Sequence, residues 1–180
     1  DDSELMQMMS AAGFISVFVG IETPDEASLI ECKKSQNTHR DLVETVRRIQ
    51  ESGLQVMGGF IVGFDNDTTS IFERQIDFIQ RSGIVTAMVG MLQAPYGTQL
   101  YQRMREEGRL ICELSGDNAD GSTNIIPRMG IEVLTEGYKK IMSELYSPHI
   151  FYQRVKTFLT HYNPPKSPVH LEWQEIYAFF

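Results

Sequence analysis

Three nearly uninterrupted apolar runs, Phe14–Ile21, Gln55–Phe64 and Ile84–Leu92, limit what this chain can become more than any other feature. They are rich in β-branched and aromatic residues and lack strict polar alternation, the pattern of strands covered on both faces. A helical pattern precedes each run. Leu5, Met8, Met9 and Ala12 follow Ser3, a candidate N-cap, and stop at Gly13. Thr38 is placed to cap a helix with Leu42, Val43, Val46 and Ile49 on one face and Gly53 behind it. Ile71, Phe72, Ile76 and Ile79 follow the polar loop Asp65–Ser70, and Ser82-Gly83 closes that helix. After the first run Pro24 and Asp25-Glu26 turn the chain into a short helix, Ala27–Lys33; after the third, Ala94–Gly97 leads into helix Thr98–Glu107. Alternation of this kind specifies parallel βα units with right-handed crossovers, in a barrel or a doubly wound sheet. Beyond Gly108 the pattern changes to an irregular stretch. A helix then begins near Glu132 with Leu134, Tyr138, Ile141, Met142 and Leu145 on its apolar positions, and Pro148 separates it from a last helix at about Ile150–Thr160. The methionines at 6, 8, 9, 57, 88 and 91 fall on or near the faces expected to be buried.

With 16 Lys and Arg against 24 Asp and Glu, the net charge is −8 over 180 residues, and the basic residues alternate with acids. Phosphate-backbone binding requires clustered cations, so nucleic acid is not an expected partner. The apolar runs are broken by glycine and are shorter than a bilayer span, so no transmembrane segment is expected. Two cysteines, Cys32 and Cys112, are too few for a secreted disulfide scaffold, and the acidic N-terminus has no signal-peptide character, so a cytoplasmic location is expected. The chain does not begin with Met and is expected to be part of a longer one.

Ligands of βα architectures bind beyond the carboxyl ends of the strands. Those ends are Glu22-Thr23, Gly63–Asn66 and Gln93–Gly97. Glu22 directly follows an apolar strand, where its carboxylate either accepts from hydroxyl or amino groups of a ligand or braces the loop. Gly58, Gly59, Gly63 and Gly90 lie in or at the end of strands, where glycine marks a bend or the close approach of a backbone or flat ligand. No GxGxxG or GxxxxGK[ST] pattern is present. The histidines at 39, 149, 161 and 170 show no metal-ligand spacing, and no serine sits in a nucleophile-elbow context, so no catalytic or metal-ligating residue is assigned.

The blocks Phe18–Pro24, Gln36–Thr38 and Gly58–Thr68 resemble the fourth and fifth strands of radical S-adenosylmethionine (SAM) enzymes, and Met91–Tyr101 with Glu107–Leu110 is similar to the sixth strand and its helix. The resemblance is strongest to the cobalamin-binding type, the group labelled anaerobic magnesium-protoporphyrin IX monomethyl ester oxidative cyclase-like. The region from Gly116 on is similar to the domain of unknown function that trails the barrel in one branch of that group. The resemblance implies an α/β fold, a partial (βα) barrel of about three parallel βα units, followed by a helical extension. The implied divisions are half a barrel over 1–108, a helical trailing domain over 109–162, and a linker or the start of a further segment over 163–180.

The resemblance further implies that Glu22, with Thr23, lies near the ribose or methionine of SAM. Gly59, Ile61 and Gly63 match the strand-five pattern G-x-I-x-G-x-x-E and would pack the adenine, with Asn66 standing where the family has Glu. Gln93 and Ala94, with Leu92, would lie by the adenine and substrate. The family's CxxxCxxC loop for a [4Fe–4S] cluster is absent, and Cys32 and Cys112 cannot supply it. The implied parent is a SAM-dependent, iron–sulfur radical enzyme of oxidoreductase or methyltransferase type, with cobalamin as a further cofactor and a lipid or tetrapyrrole substrate. The chain alone would be inactive. A half barrel also predicts open strand edges, through which the chain would self-associate or meet the missing half of the barrel. The rival expectation is a non-catalytic binding or scaffold module with barrel-like strands.

Overall fold

A computed structural model of the chain describes residues 2–112 and 121–164. The linker expected from 163, His170 and the segment Gly116–Asp120 lie wholly or mostly outside the described residues. Three parallel strands, β1 (Ser16–Glu22), β2 (Gln55–Val62) and β3 (Thr86–Met91), form one sheet in the order β1-β2-β3. The helices are α1 (Ser3–Ala11), α2 (Glu26–Glu31), α3 (Leu42–Glu51), α4 (Ser70–Ser82), α5 (Gln99–Glu106), α6 (Ile131–Leu145) and α7 (Pro148–His161). The chain is thus a mixed α/β structure with a parallel sheet flanked by helices, the class its sequence specifies.

Three local expectations are corrected by capping chemistry. Asp2, not Ser3, caps α1, its carboxylate accepting from the N–H groups of Glu4 and Leu5 at 3.1 Å. Asp41 rather than Thr38 caps α3, accepting from Glu44 N–H at 3.0 Å, while residues 35–37 form a single 3-10 turn. An aspartate followed three residues later by glutamate is the stronger start signal. Pro148 opens α7 instead of standing outside it, because its fixed φ and missing N–H suit the first helical position.

The largest correction concerns burial. The core packs on one face of the sheet only, where Ile21, Val56, Phe60, Val62, Ala87 and Val89 meet α3, α4 and α6. Right-handed crossovers place consecutive helices on the same side. On the opposite face Phe18 is 61% and Met88 49% exposed, and α1 buries none of its residues, so Met8 is exposed as well. Of the methionines expected inside, Met91 is buried.

Helix α6 reaches the core through Leu134, Gly137, Ile141 and Leu145. Gly137 is required by contact: a Cβ there would lie 2.1 Å from the Phe72 ring. The fully buried Arg154 of α7 ties three elements together, donating to Gln80 Oε1 and Leu145 O at 2.8 Å and to Val85 O at 3.3 Å, with its guanidinium over the rings of Tyr146 and Phe151. Burial pulls its pKa down from the usual arginine value.

No strand among the described residues pairs with the outer side of β1 or of β3. On β1 the Asn37 side-chain amide donates to Gly20 O and Ile21 O at 3.4 and 3.5 Å. Along β3 and its continuation, side chains likewise occupy backbone groups. Tyr146 Oη donates to Ala87 O at 2.7 Å, Thr123 Oγ1 to Leu92 O at 2.6 Å, and Asn124 makes two bonds to Ala94, 2.8 Å from its N–H and 2.9 Å to its carbonyl.

Candidate functional site

The open face of the sheet and the flank of α6 enclose a concavity of about 490 Å³, within the range of small-molecule sites. Its floor comes from alternate residues of the three strands, because side chains of one parity share a face. The pairs Gly20↔Gly59 and Ile61↔Gly90 stand side by side in register. A Cβ on Gly59 would lie 2.9 Å from the Phe18 ring, and one on Gly20 would lie 2.7 Å from Glu22 Oε1. These glycines let Phe18 and Glu22 lie flat against the floor.

Glu22 stands at the carboxyl end of β1, where the register slips between Gly20 and Glu22. Its φ of 68° is left-handed, a conformation that costs a non-glycine residue of order 1 kcal/mol and concentrates at functional positions. Lys34 Nζ lies 3.0 Å from Glu22 Oε1, and both side chains are only partly exposed. The site thus holds a neutralised carboxylate–ammonium pair at one end of an otherwise apolar cavity.

Of the residues singled out in the sequence, Glu22, Gly59, Ile61 and Gln93 line this concavity together. Gln93 is steered by Ser122, to whose carbonyl its Nε2 donates at 3.1 Å. Thr23, Gly63 and Ala94 are not among its lining residues. Thr23 is buried and its Oγ1 accepts from Asp25 N–H at 3.2 Å, which steadies the start of α2. Gly63, at φ 104°, makes room for Leu134 of α6, whose methyl would be 2.9 Å from a Cβ. Ala94 is held by Asn124 as described. Sequence reading missed Lys34 and the α6 residues Tyr138, Met142 and Tyr146, which form the opposite wall. The four-residue spacing of those three was the available signal.

Below the rim lies a second polar cluster. Asp67 accepts from Ser28 Oγ at 2.8 Å and from the N–H groups of Gly63 and Phe64 at 2.9 and 3.0 Å, fixing the turn after β2; burial nevertheless pushes its carboxyl above the usual range. Asp65 pairs with Arg109 at 2.6 Å, and that hydrogen bond holds its carboxyl below the usual range. Asn66 turns away from the concavity and donates to Glu31 through both N–H and Nδ2, at 3.3 and 3.0 Å. Glu31, Cys32, Phe64, Leu92 and Arg103 border a smaller hollow of about 370 Å³. Burial raises the Cys32 thiol pKa.

Cys32 and Cys112 are free thiols, and among the described residues no three of His, Cys, Asp and Glu are grouped to hold a metal ion. The residues present therefore do not fit an iron–sulfur cluster. No helix among them is long and apolar enough to cross a membrane.

Residues 98–180 match a family described as Domain of unknown function (DUF4070). Over 155 residues, 86% of this chain, the sequence is 41% identical to an uncharacterized methyltransferase of Synechocystis sp.. It is 32% identical over 159 residues, 88% of the chain, to the hopanoid C-2 methylase of Rhodopseudomonas palustris. It is 23% identical over 155 residues, 85% of the chain, to the bacteriochlorophyllide d C-12(1)-methyltransferase of Chlorobaculum tepidum. The chain spans 29% of the length of the first two relatives and 33% of the third.

Proposed function

Taking kinship with curated methyltransferases along most of the chain as the premise, we propose that these residues are the SAM- and substrate-facing part of a radical SAM methyltransferase of the cobalamin-binding type. One observation carries the reading: Glu22, Gly59, Ile61 and Gln93, from three strands and their ends, line one concavity that covers the open face of the parallel sheet and reaches the carboxyl ends of β1 and β3. That is where βα proteins bind ligands.

In this reading Glu22 accepts hydrogen bonds from ribose hydroxyls or the methionine ammonium, and Lys34, 3.0 Å from it, holds its carboxylate in orientation. The flat strip of Gly20, Gly59 and Gly90 with Ile61 receives the adenine ring, and Gln93, fixed by Ser122, supplies amide contacts near the transferred group. Methyl transfer is preferred over oxidative cyclisation because the three relatives are named as methyltransferases or a methylase. A lipid or tetrapyrrole acceptor suits the apolar cavity, and the parent is placed in the cytoplasm. A [4Fe–4S] cluster, with cobalamin beside it, is the chemistry that this class of enzyme uses. Among the described residues none is grouped to hold the cluster, so in this reading the chain contributes binding and orientation and is inactive by itself.

The test is SAM titration calorimetry on the intact protein carrying this chain, as wild type, Glu22→Ala and Glu22→Gln. Loss of a charged acceptor is expected to weaken binding by about 1–3 kcal/mol, with Gln intermediate. Equal affinity in all three would sink the assignment.

A further inference from the structure

The smaller hollow, of about 370 Å³, shares none of its lining residues with the concavity. Its floor is apolar: Phe64 and Leu92, just beyond β2 and β3, pack with Leu100 of α5 and with Cys32 at the end of α2. Its rim is polar, with Glu31 and Lys33 on the α2 side and Gln99 and Arg103 on α5, and Lys33 Nζ donates to Gln99 Oε1 to join the two helices. The charges of this rim do not cancel. The nine-tenths buried Glu31 carboxylate already has three donors, Arg103 Nη2 at 2.9 Å and the N–H and Nδ2 of Asn66 at 3.3 and 3.0 Å. Asp65, behind the wall, is met by Arg109 at 2.6 Å and Arg128 at 3.5 Å, with Arg103 at 3.4 Å. Two lining cations, Lys33 and Arg103, against the one lining carboxylate of Glu31 leave a positive charge over. Arg103 also has donors to spare: among the described residues its Nη1 meets no acceptor, and its Nε is enclosed without one. A charged donor withdrawn from water without a partner is costly, so the wall calls for an acceptor.

We propose that this hollow binds a small monocarboxylate with an apolar body, its carboxylate on Arg103 and Lys33 and its hydrocarbon on Phe64, Leu92 and Leu100. Charge, shape and size choose the class. A single surplus positive charge matches a monoanion, and the Glu31 carboxylate on the same wall stands against a second negative charge such as a phosphate carries. The planar guanidinium matches a carboxylate in geometry. At about 30 Å³ for each water-sized unit the hollow holds about a dozen heavy atoms, which admits a medium-chain acid and excludes a full membrane-lipid tail. The site makes no use of the concavity and stands independently of the SAM assignment.

Cys32 supplies the reporter, since it lines the hollow half-buried, whereas Cys112 is exposed. The intact protein carrying this chain is alkylated with iodoacetamide at mildly alkaline pH, because burial raises the Cys32 thiol pKa, and the Cys32 and Cys112 peptides are followed by mass spectrometry. The probes are octanoate, octylamine and octanol, which share a tail and differ in charge. Octanoate is expected to slow alkylation of Cys32 by about tenfold once it stands near ten times its Kd, leaving Cys112 unchanged. The amine and the alcohol at the same concentration should leave both cysteines unprotected. Arg103→Met is expected to abolish the protection, with Arg103→Lys intermediate. No protection by octanoate, or equal protection by octanol or octylamine, would overturn the site, and neither result depends on a variant folding. Wild-type protection in Arg103→Met would overturn it as well, and so would equal slowing at Cys112, which no occupant of this hollow could cause alone.

Discussion

Replacing Asn124 by alanine tests the seal along the continuation of β3. The Asn124 side chain is buried, and it satisfies both backbone groups of the fully buried Ala94, at 2.8 and 2.9 Å. Two neutral hydrogen bonds contribute about 1 kcal/mol each net, and a buried group left without a partner costs roughly 1–3 kcal/mol. Partial relaxation limits the sum, so Asn124→Ala is expected to destabilise the fold by about 3 kcal/mol, on the order of a hundredfold in the folding equilibrium. Asn124→Asp sharpens the test. Its carboxylate can still accept from Ala94 N–H but faces the Ala94 carbonyl with another acceptor. Only the protonated form restores the second bond, so its folded-state pKa is raised. The bond is then fully present below the unfolded value, about 3.9, and lost as pH rises through the raised one. Urea unfolding followed by circular dichroism, with the denaturant slope checked for constancy, supplies the free energies. Hydrogen exchange at the Ala94 amide reports the local opening. A loss below about 0.5 kcal/mol for Asn124→Ala, against the full cost of orphaned groups, would refute the reasoning. So would an Asp variant as stable as wild type at pH 7.

Two carboxylates beneath the site are expected to respond oppositely to acid. The Asp65 pKa is depressed, so its stabilisation holds above the unfolded value and is lost as pH falls through the lower folded one; Arg109→Met should shrink this acid limb of a stability–pH profile, leaving the part that Arg103 and Arg128 sustain. The Asp67 pKa is raised by burial, so its ionised form weighs against folding at neutral pH and relief comes as pH falls. Asp67→Asn keeps an acceptor for Gly63 and Phe64 and offers a donor to Ser28, and it should be neutral or stabilising at pH 7 by denaturant melts. Gly137→Ala sets a helix-propensity gain of about 1 kcal/mol against a Cβ placed inside the Phe72 ring; overpacking of about 1–3 kcal/mol or more should win, lowering the melting temperature. A raised melting temperature would show that Phe72 has room to move.

The order of strands and helices was legible because periodicity is local. Which face of the sheet is covered was not, since Phe18, Ile61 and Met88 are apolar for the sake of a cavity and so counterfeit a buried strand. The same ambiguity hid a double role on α6: Tyr138 and Met142 pack against the core beside Ile141 and also line the concavity. Glu22 was found from its position at a strand end, but its partner Lys34 was not, because a φ of 68° and a register slip bring them together. Pairings such as Asp65 with Arg109, 44 residues apart, leave no trace in local spacing. At α3, Thr38 was a plausible cap that lost to Asp41 three residues on, where the carboxylate gains a following Glu44.

Side chains guard both margins of the sheet. On β1 the Asn37 amide donates to Gly20 O and Ile21 O at 3.4 and 3.5 Å, and on β3 the Tyr146 hydroxyl donates to Ala87 O at 2.7 Å. An incoming strand at either margin must exchange a side-chain donor for a backbone one, and the longer bonds at β1 are the weaker to give up.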